Sequence, residues 1–294
     1  MEVTVSQIFT GVSTGAVLLL VAVGLSLTFG QMGVINMAHG EFLMAGAYVG
    51  YVVQQVVTNV NLSLLVALPL GFLIAGALGL VLEITVISRM YHRPLDTLLV
   101  TFGVGLVLQQ LARDLFGAQA KPVGAPHWLE HQIPILGYNF PMTRLFIIVL
   151  AIGCLAAVAV LLRKTSMGRQ IRATVQNRDL AETMGVSTRA TDRFTFFLGS
   201  GLAGVAGVAL TLVTATESTL GASYIVSAFL VVVAGGIGQL KGTVIVAFVL
   251  GLANSFLTYW VNGSMATVYT FVLVVVFLQI RPQGLFTVRT RSLA

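Results

Sequence analysis

Residues 3–40 contain no Asp, Glu, Lys or Arg, and this charge-free run constrains the fold more than any other feature of the chain. A helix needs about 20 apolar residues to cross the hydrocarbon core of a bilayer, and this stretch is long enough to do so. The composition agrees, with 57% hydrophobic and 9% charged residues, where soluble domains carry roughly 25% charged residues. A chain so poor in charge cannot cover a water-facing surface, so it reads as an integral membrane protein. Each spanning segment must satisfy its own backbone N–H and C=O groups. That selects helices, because the long unbroken apolar runs lack the alternation of barrel strands.

Apolar spans are expected near 7–29, 42–58, 62–87, 95–116, 142–162, 194–215, 223–240, 243–261 and 264–280. The expected fold is all-α, a polytopic transmembrane bundle of about eight to nine spans, as a single domain over residues 1–294. Glycines inside the spans, such as Gly11/Gly15, Gly46/Gly50 and the run from Gly199 to Gly207, allow close helix approach. The first basic residue is Arg89, so the positive start of a cleavable signal peptide is missing and the first span is expected to remain. Cys154 lies alone in an apolar run, where packing is its expected role.

The basic residues set an expected orientation. The 163–193 loop carries seven of them, and Arg89, Arg93, Lys241, Arg281, Arg289 and Arg291 fall on the same side when spans alternate. Arg113, Lys121 and Arg144 fall on the other. The positive-inside rule then places the C-terminus in the cytoplasm and the N-terminus outside. It also requires residues 30–41 to dip into the membrane from the cytoplasmic side. With no soluble basic domain, the net charge of +6 argues for topology and not for nucleic-acid binding.

Three motif matches carry little chemistry. GSGLAG at 199–204 fits G-x-G-x-x-G but lies inside an apolar helical run, not at a strand-to-helix turn. HWLEH at 127–131 fits a zinc-peptidase pattern, yet Pro126 and Pro134 leave little room for the helix it needs, so no metal site is expected. No Gly-Lys pair exists to form a Walker A loop, so the chain itself should not hydrolyse nucleotide.

Two regions are more informative. In 163–193, Ile171/Val175 and Leu180/Met184 are each four apart, Asn177 is placed to cap a helix, Asp179 falls in its first turn and Gly185 past its end. Two short amphipathic helices are expected there, lying on lipid headgroups or docking a cytoplasmic protein. In GVINMAHGEFLMAGAY, 33–48, Asn36, His39 and Glu41 interrupt an apolar stretch. Such groups either cap helix ends at the interface or line a pathway. The spacing of His39 and Glu41 suits an irregular connection, tolerated only where backbone is buried or lines a cavity. The run 223–242, ending in Gly235-Gly236-Ile237-Gly238, is the candidate break in the other half.

INMAHGE at 35–41, RPLDTLLVTFGVGLVLQQ at 93–110, MGRQIRATVQNRDLAETMGV at 167–186, VVVAGGIGQLKGT at 231–243 and RPQGLF at 281–286 together resemble permease subunits of the branched-chain amino acid and urea family of ABC importers. The resemblance covers nearly the whole chain. It implies a non-enzymatic inner-membrane permease of a bacterium, with no cofactor of its own. It also implies a second homologous permease subunit, two ATP-binding subunits, an external substrate-binding protein and a lipid surround. The 163–193 loop would be the element that docks on an ATP-binding subunit, with Arg169, Arg172, Asp179 and Gly185 as its key positions.

Met37, where leucine-type members tend to have Phe, together with RPLDTLL and NFPMTRLFII, looks closer to the urea-type branch. Spans almost free of charge point the same way, since urea needs only amide and hydroxyl partners. The pathway or gate residues expected are Asn36, His39, Glu41, Thr101, Ser227, Gly235 and Gly236. The alternatives are a leucine-type permease and, in different classes, a stand-alone urea or amide channel and an intramembrane enzyme.

Overall fold

The structure, a computed structural model, describes residues 2–91, 93–135 and 138–286. Arg289 and Arg291, two of the cations used for orientation, lie outside the described residues. The helices in chain order are α1 (Glu2–Met32), α2 (His39–Val56), α3 (Val60–Thr85), α4 (Pro94–Phe116), α5 (Met142–Lys164), α6 (Ser166–Gln176), α7 (Arg178–Thr183), α8 (Thr188–Leu210), α9 (Leu220–Gly235), α10 (Leu240–Trp260) and α11 (Gly263–Ile280). Among the described residues α1, α3, α4, α5, α8, α10 and α11 are long and apolar enough to cross a membrane. With α2 and the shorter α9 packed among them, the chain is an all-α polytopic membrane bundle. The 117–141 loop adds a small hairpin, β1 (Gln132–Ile135) against β2 (Tyr138–Pro141), which the helical reading did not anticipate.

Small residues decide which helices meet, because apolar side chains gain no hydrophobic advantage by leaving lipid. Helix α1 runs antiparallel to α10, with Gly11 on Leu252 and Gly15 on Phe248. Helix α8 runs antiparallel to α3 in the same manner, with Gly201 on Phe72 and Gly204 on Gly71 and Ala75. Between the pairs, α1 and α8 cross at Gly24 and Gly199, and α2 and α9 cross at Gly40 and Gly221. The contacts of α1–α2–α3 are therefore repeated by α8–α9–α10 with the opposite sense, an inverted repeat. GSGLAG is the face of α8 that carries these crossings, which explains its glycines without any nucleotide.

The repeat places the chain breaks. Gly33, at φ +64°, ends α1 in the left-handed region that glycine adopts without strain. Residues 33–38 then double back, and His39 opens α2 with its Nε2 3.2 Å from the Val21 carbonyl. Val21 lies eleven residues before Met32, about 17 Å along the helix axis. Six extended residues reach about 20 Å, so α2 starts deep within the bundle.

The equivalent connection in the second half is 211–219, and this corrects the expected position of the second break. It brings Gly221, in the first turn of α9, onto Gly40. Thr and Ser cluster in TLVTATESTLGAS, 211–223, where their hydroxyls offer the backbone local alternatives to the helix. The Gly235-Gly236 turn instead joins α9 to α10, and the C-terminal segment closes over it: Leu285 N–H donates to Ala234 O and Phe286 N–H to Gly235 O.

Candidate functional site

Asn36, His39 and Glu41 are all buried, and the first turn of α2 explains how. The Asn36 side-chain oxygen accepts from Ala38 N–H at 3.1 Å, and its carbonyl accepts from His39 N–H. Glu41 falls in the first helical turn, where the helix dipole favours an acid. His39 and Glu41 thus belong to a regular turn, with the irregular backbone just before it. Asn36 Nδ2, His39 Nδ1 and Glu41 Oε2 have no hydrogen-bond partner among the described residues. Buried polar groups of this kind are costly unless something satisfies them.

Helix α4 supplies the opposing wall. Met37 N–H donates to Thr101 Oγ1 at 3.1 Å, Gly105 lies beside the Glu41 side chain, and Gln109 Nε2 donates to Glu41 Oε1 at 2.8 Å. Arg113 Nε continues the series by donating to Ser218 Oγ in the 211–219 connection at 3.0 Å. These four residues are each four apart, so they form one stripe on a helix whose other side chains are mostly exposed. One helix therefore touches both breaks. Sequence reasoning found Thr101 and missed Gly105, Gln109 and Arg113, although the period-four polar pattern was available.

Thr101→Val is expected to destabilise the protein, because it strands the Met37 N–H. An unsatisfied buried donor costs about 1–3 kcal/mol. Thr101→Ser keeps the oxygen and should unfold near the wild-type temperature. Thermal unfolding of the detergent-solubilised variants checks this, and equal midpoints for Val and Ser would show that the bond carries no weight.

The remaining pathway residues are placed elsewhere. Ser227 lines a separate cavity of about 230 Å³ with Thr14, Ser223, Asn254 and Thr270, between α1, α9, α10 and α11. Gly235 packs against Gly242, and Gly236 against Phe286. The structure does not bring these three residues to the 33–41 connection. The HWLEH segment forms a single 3₁₀ turn, His127–Leu129, with exposed His127 Nδ1 3.4 Å from Glu130 Oε2.

Helices α6 and α7 occupy the basic loop. Thr165 caps α6 by accepting from Gly168 N–H, and Asn177 caps α7 by accepting from Leu180 N–H. Gly185 follows at φ +83°. Ile171 is buried against the bundle, whereas Leu180 and Met184 are exposed on α7 and just beyond it. Arg169, Arg172 and Asp179 also face outward. Beside this loop, burial and the Glu83 acceptor push the Tyr91 hydroxyl well above the usual tyrosine range, so it stays a donor. Burial opposes the Arg178 charge, but the Asp192 carboxylate outweighs it and holds the guanidinium above its ordinary value.

A family model described as "branched-chain amino acid transport system / permease component" matches residues 7–280. The high-affinity branched-chain amino acid transport system permease protein LivH of Escherichia coli is 27% identical over 296 residues, covering 95% of this chain and 94% of its own length. The corresponding permease protein BraD of Pseudomonas aeruginosa is 25% identical over 295 residues, covering 95% and 94%. The inner membrane ABC transporter permease protein YjfF of Escherichia coli is 24% identical over 265 residues, covering 85% and 75%. No solved structure matches the chain. With the family model spanning nearly every helix described above, this chain belongs to the permease components of branched-chain amino acid transport systems, a family of transport proteins and not of enzymes.

Proposed function

We propose that the chain is one membrane half of an ATP-driven importer of branched-chain amino acids. The observation that carries this is the re-entrant connection 33–38 leading into α2, which sets the buried Asn36, His39 and Glu41 beside the α4 stripe with unmatched polar atoms. In this reading those residues and Thr101 form the gate, and Glu41 holds α2 in place through Gln109. Two ATP-binding subunits, a second homologous permease and an external binding protein complete the complex. Residues 163–193 dock on an ATP-binding subunit through Leu180, Met184 and the charges at Arg169, Arg172 and Asp179, with Gly185 ending the docking helix. The basic face is cytoplasmic, with the C-terminus inside and the N-terminus outside. The whole of 1–294 acts as one transmembrane domain.

The substrate assignment rests on relatives such as LivH and BraD, whose names specify branched-chain amino acids. Urea, expected from Met37 and the charge-free spans, finds no support among them. The electrostatic case for urea also weakens in the structure, because the positive N-terminal ends of α2 and α9 approach each other at Gly40 and Gly221. Such ends favour a carboxylate without any Lys or Arg. Uptake of labelled leucine and of labelled urea, in cells with and without the chain and with and without ATP depletion, tests the assignment. Loss of ATP-dependent leucine uptake alone is the expected result. Loss of urea uptake alone would transfer the same mechanism to the other substrate, and ATP-independent entry of either would end the importer reading.

A further inference from the structure

Helix α7 is connected to the end of α1 through one fully buried carboxylate. Asp192, in the first turns of α8, has no solvent exposure. Its Oδ2 accepts from Arg178 Nη2 at 2.6 Å, and its Oδ1 accepts from Gln31 Nε2 at 2.8 Å. Gln31 stands two residues before Gly33, where the re-entrant connection begins, and its Oε1 accepts from Thr195 of α8. Arg178 opens α7, also donates to Thr188 Oγ1 at 3.2 Å, and lies 5.0 Å above the Tyr91 ring. Tyr91 donates in turn to Glu83 Oε1 of α3 at 2.5 Å.

A buried ion pair rarely stabilises a fold more than well-packed apolar residues would. What this one provides is a defined geometry, because the two carboxylate oxygens are committed to two different elements. A shift of α7 that pulls on Arg178 must either move Asp192 or break its bond, and each outcome changes what holds Gln31. Arg178 keeps a side-chain exposure of 30%, so a protein docked on α7 has access to one end of this chain of bonds while the other end stays sealed in the bundle.

We propose that Asp192 is a positioning residue that transmits displacement of α7 to the connection 33–38 through Arg178 and Gln31. This rests on the reading of 163–193 as the ATPase-docking loop. The test uses the complete complex, with Cys154→Ala and Met37→Cys as background. It measures the rate at which a water-soluble maleimide modifies position 37, first without nucleotide and then after trapping with ATP and vanadate. Trapping is expected to change the rate at least fivefold when Asp192 is present. Asp192→Asn and Arg178→Gln should each reduce the change below twofold, and their combination should reduce it no further, while ATP is still hydrolysed.

Gln31→Leu cuts the last link and leaves the Arg178–Asp192 pair intact. It should give the same loss, and it serves if Asp192→Asn fails to accumulate. A full response in any of these variants, additive effects in the double variant, or no response with Asp192 present would overturn the proposal while the docking reading stands. Failure of any ATP-binding subunit to assemble with the chain would end the docking reading and this proposal together.

Discussion

Gly204→Leu is expected to remove the folded protein from the membrane, whereas Gly153→Leu should leave its amount unchanged. Gly204 sits where three helices meet: a side chain there would collide with Gly71 O and Ala75 of α3, and Gly46 of α2 lies on the other side. Overpacking costs about 1–3 kcal/mol when neighbouring side chains can move. Here the obstruction is the Gly71 backbone and the short Ala75 side chain, neither of which can swing away, so relief would require separating α8 from α3. Gly153 lies on the exposed face of α5 with nothing within 4 Å of an added carbon. The amount of monodisperse protein extracted in detergent reports the outcome. Equal yields of the two variants would show that the three-helix contact does not determine the fold.

The second large effect concerns Glu41. Glu41→Leu is expected to lower ATP-dependent leucine uptake at least tenfold, and Glu41→Gln to retain most of it. The reason is the bond from Gln109, 2.8 Å long and half-buried. Leucine leaves the Gln109 amide without an acceptor at a cost of about 1–3 kcal/mol, and frees α2 from the α4 stripe. Glutamine still accepts the same bond. If Glu41→Gln accumulates normally but transports no better than Glu41→Leu, the charge of the carboxylate is what transport uses, and the anchoring role assigned to Glu41 fails.

Both effects depend on features that were unequally legible. The glycines of 199–207 were visible as a close-packing surface, yet nothing local says that Gly204 meets Gly71 and Gly46 while Gly199 meets Gly24. Small-residue surfaces are nearly interchangeable as patterns, and the partner is selected by the fit of whole helices. Glu41 and Thr101 stand out as polar residues in apolar runs, but nothing local singles out Gln109 within the 95–116 span. Its partner is 68 residues away. The second break was assigned to Gly235-Gly236 because glycine is the most conspicuous breaker. In the structure that turn is closed by the C-terminal segment, and the re-entrant role falls to the Thr- and Ser-rich 211–219.

By itself, the sequence determined everything that follows from transfer to lipid and from local hydrogen bonding. The charge-free runs required membrane helices, Gly33 and its polar neighbours required a break, and Thr165, Asn177 and Gly185 delimit α6 and α7 because caps act within one turn. Only the tertiary structure decided how the halves invert against each other, that one α4 stripe reaches both breaks, and that Asp192 is sealed between Arg178 and Gln31. These are contacts between segments far apart in the chain. Their energy comes from shape and hydrogen-bond matching across helices in a solvent as apolar as the helices themselves, and no single segment encodes its partner.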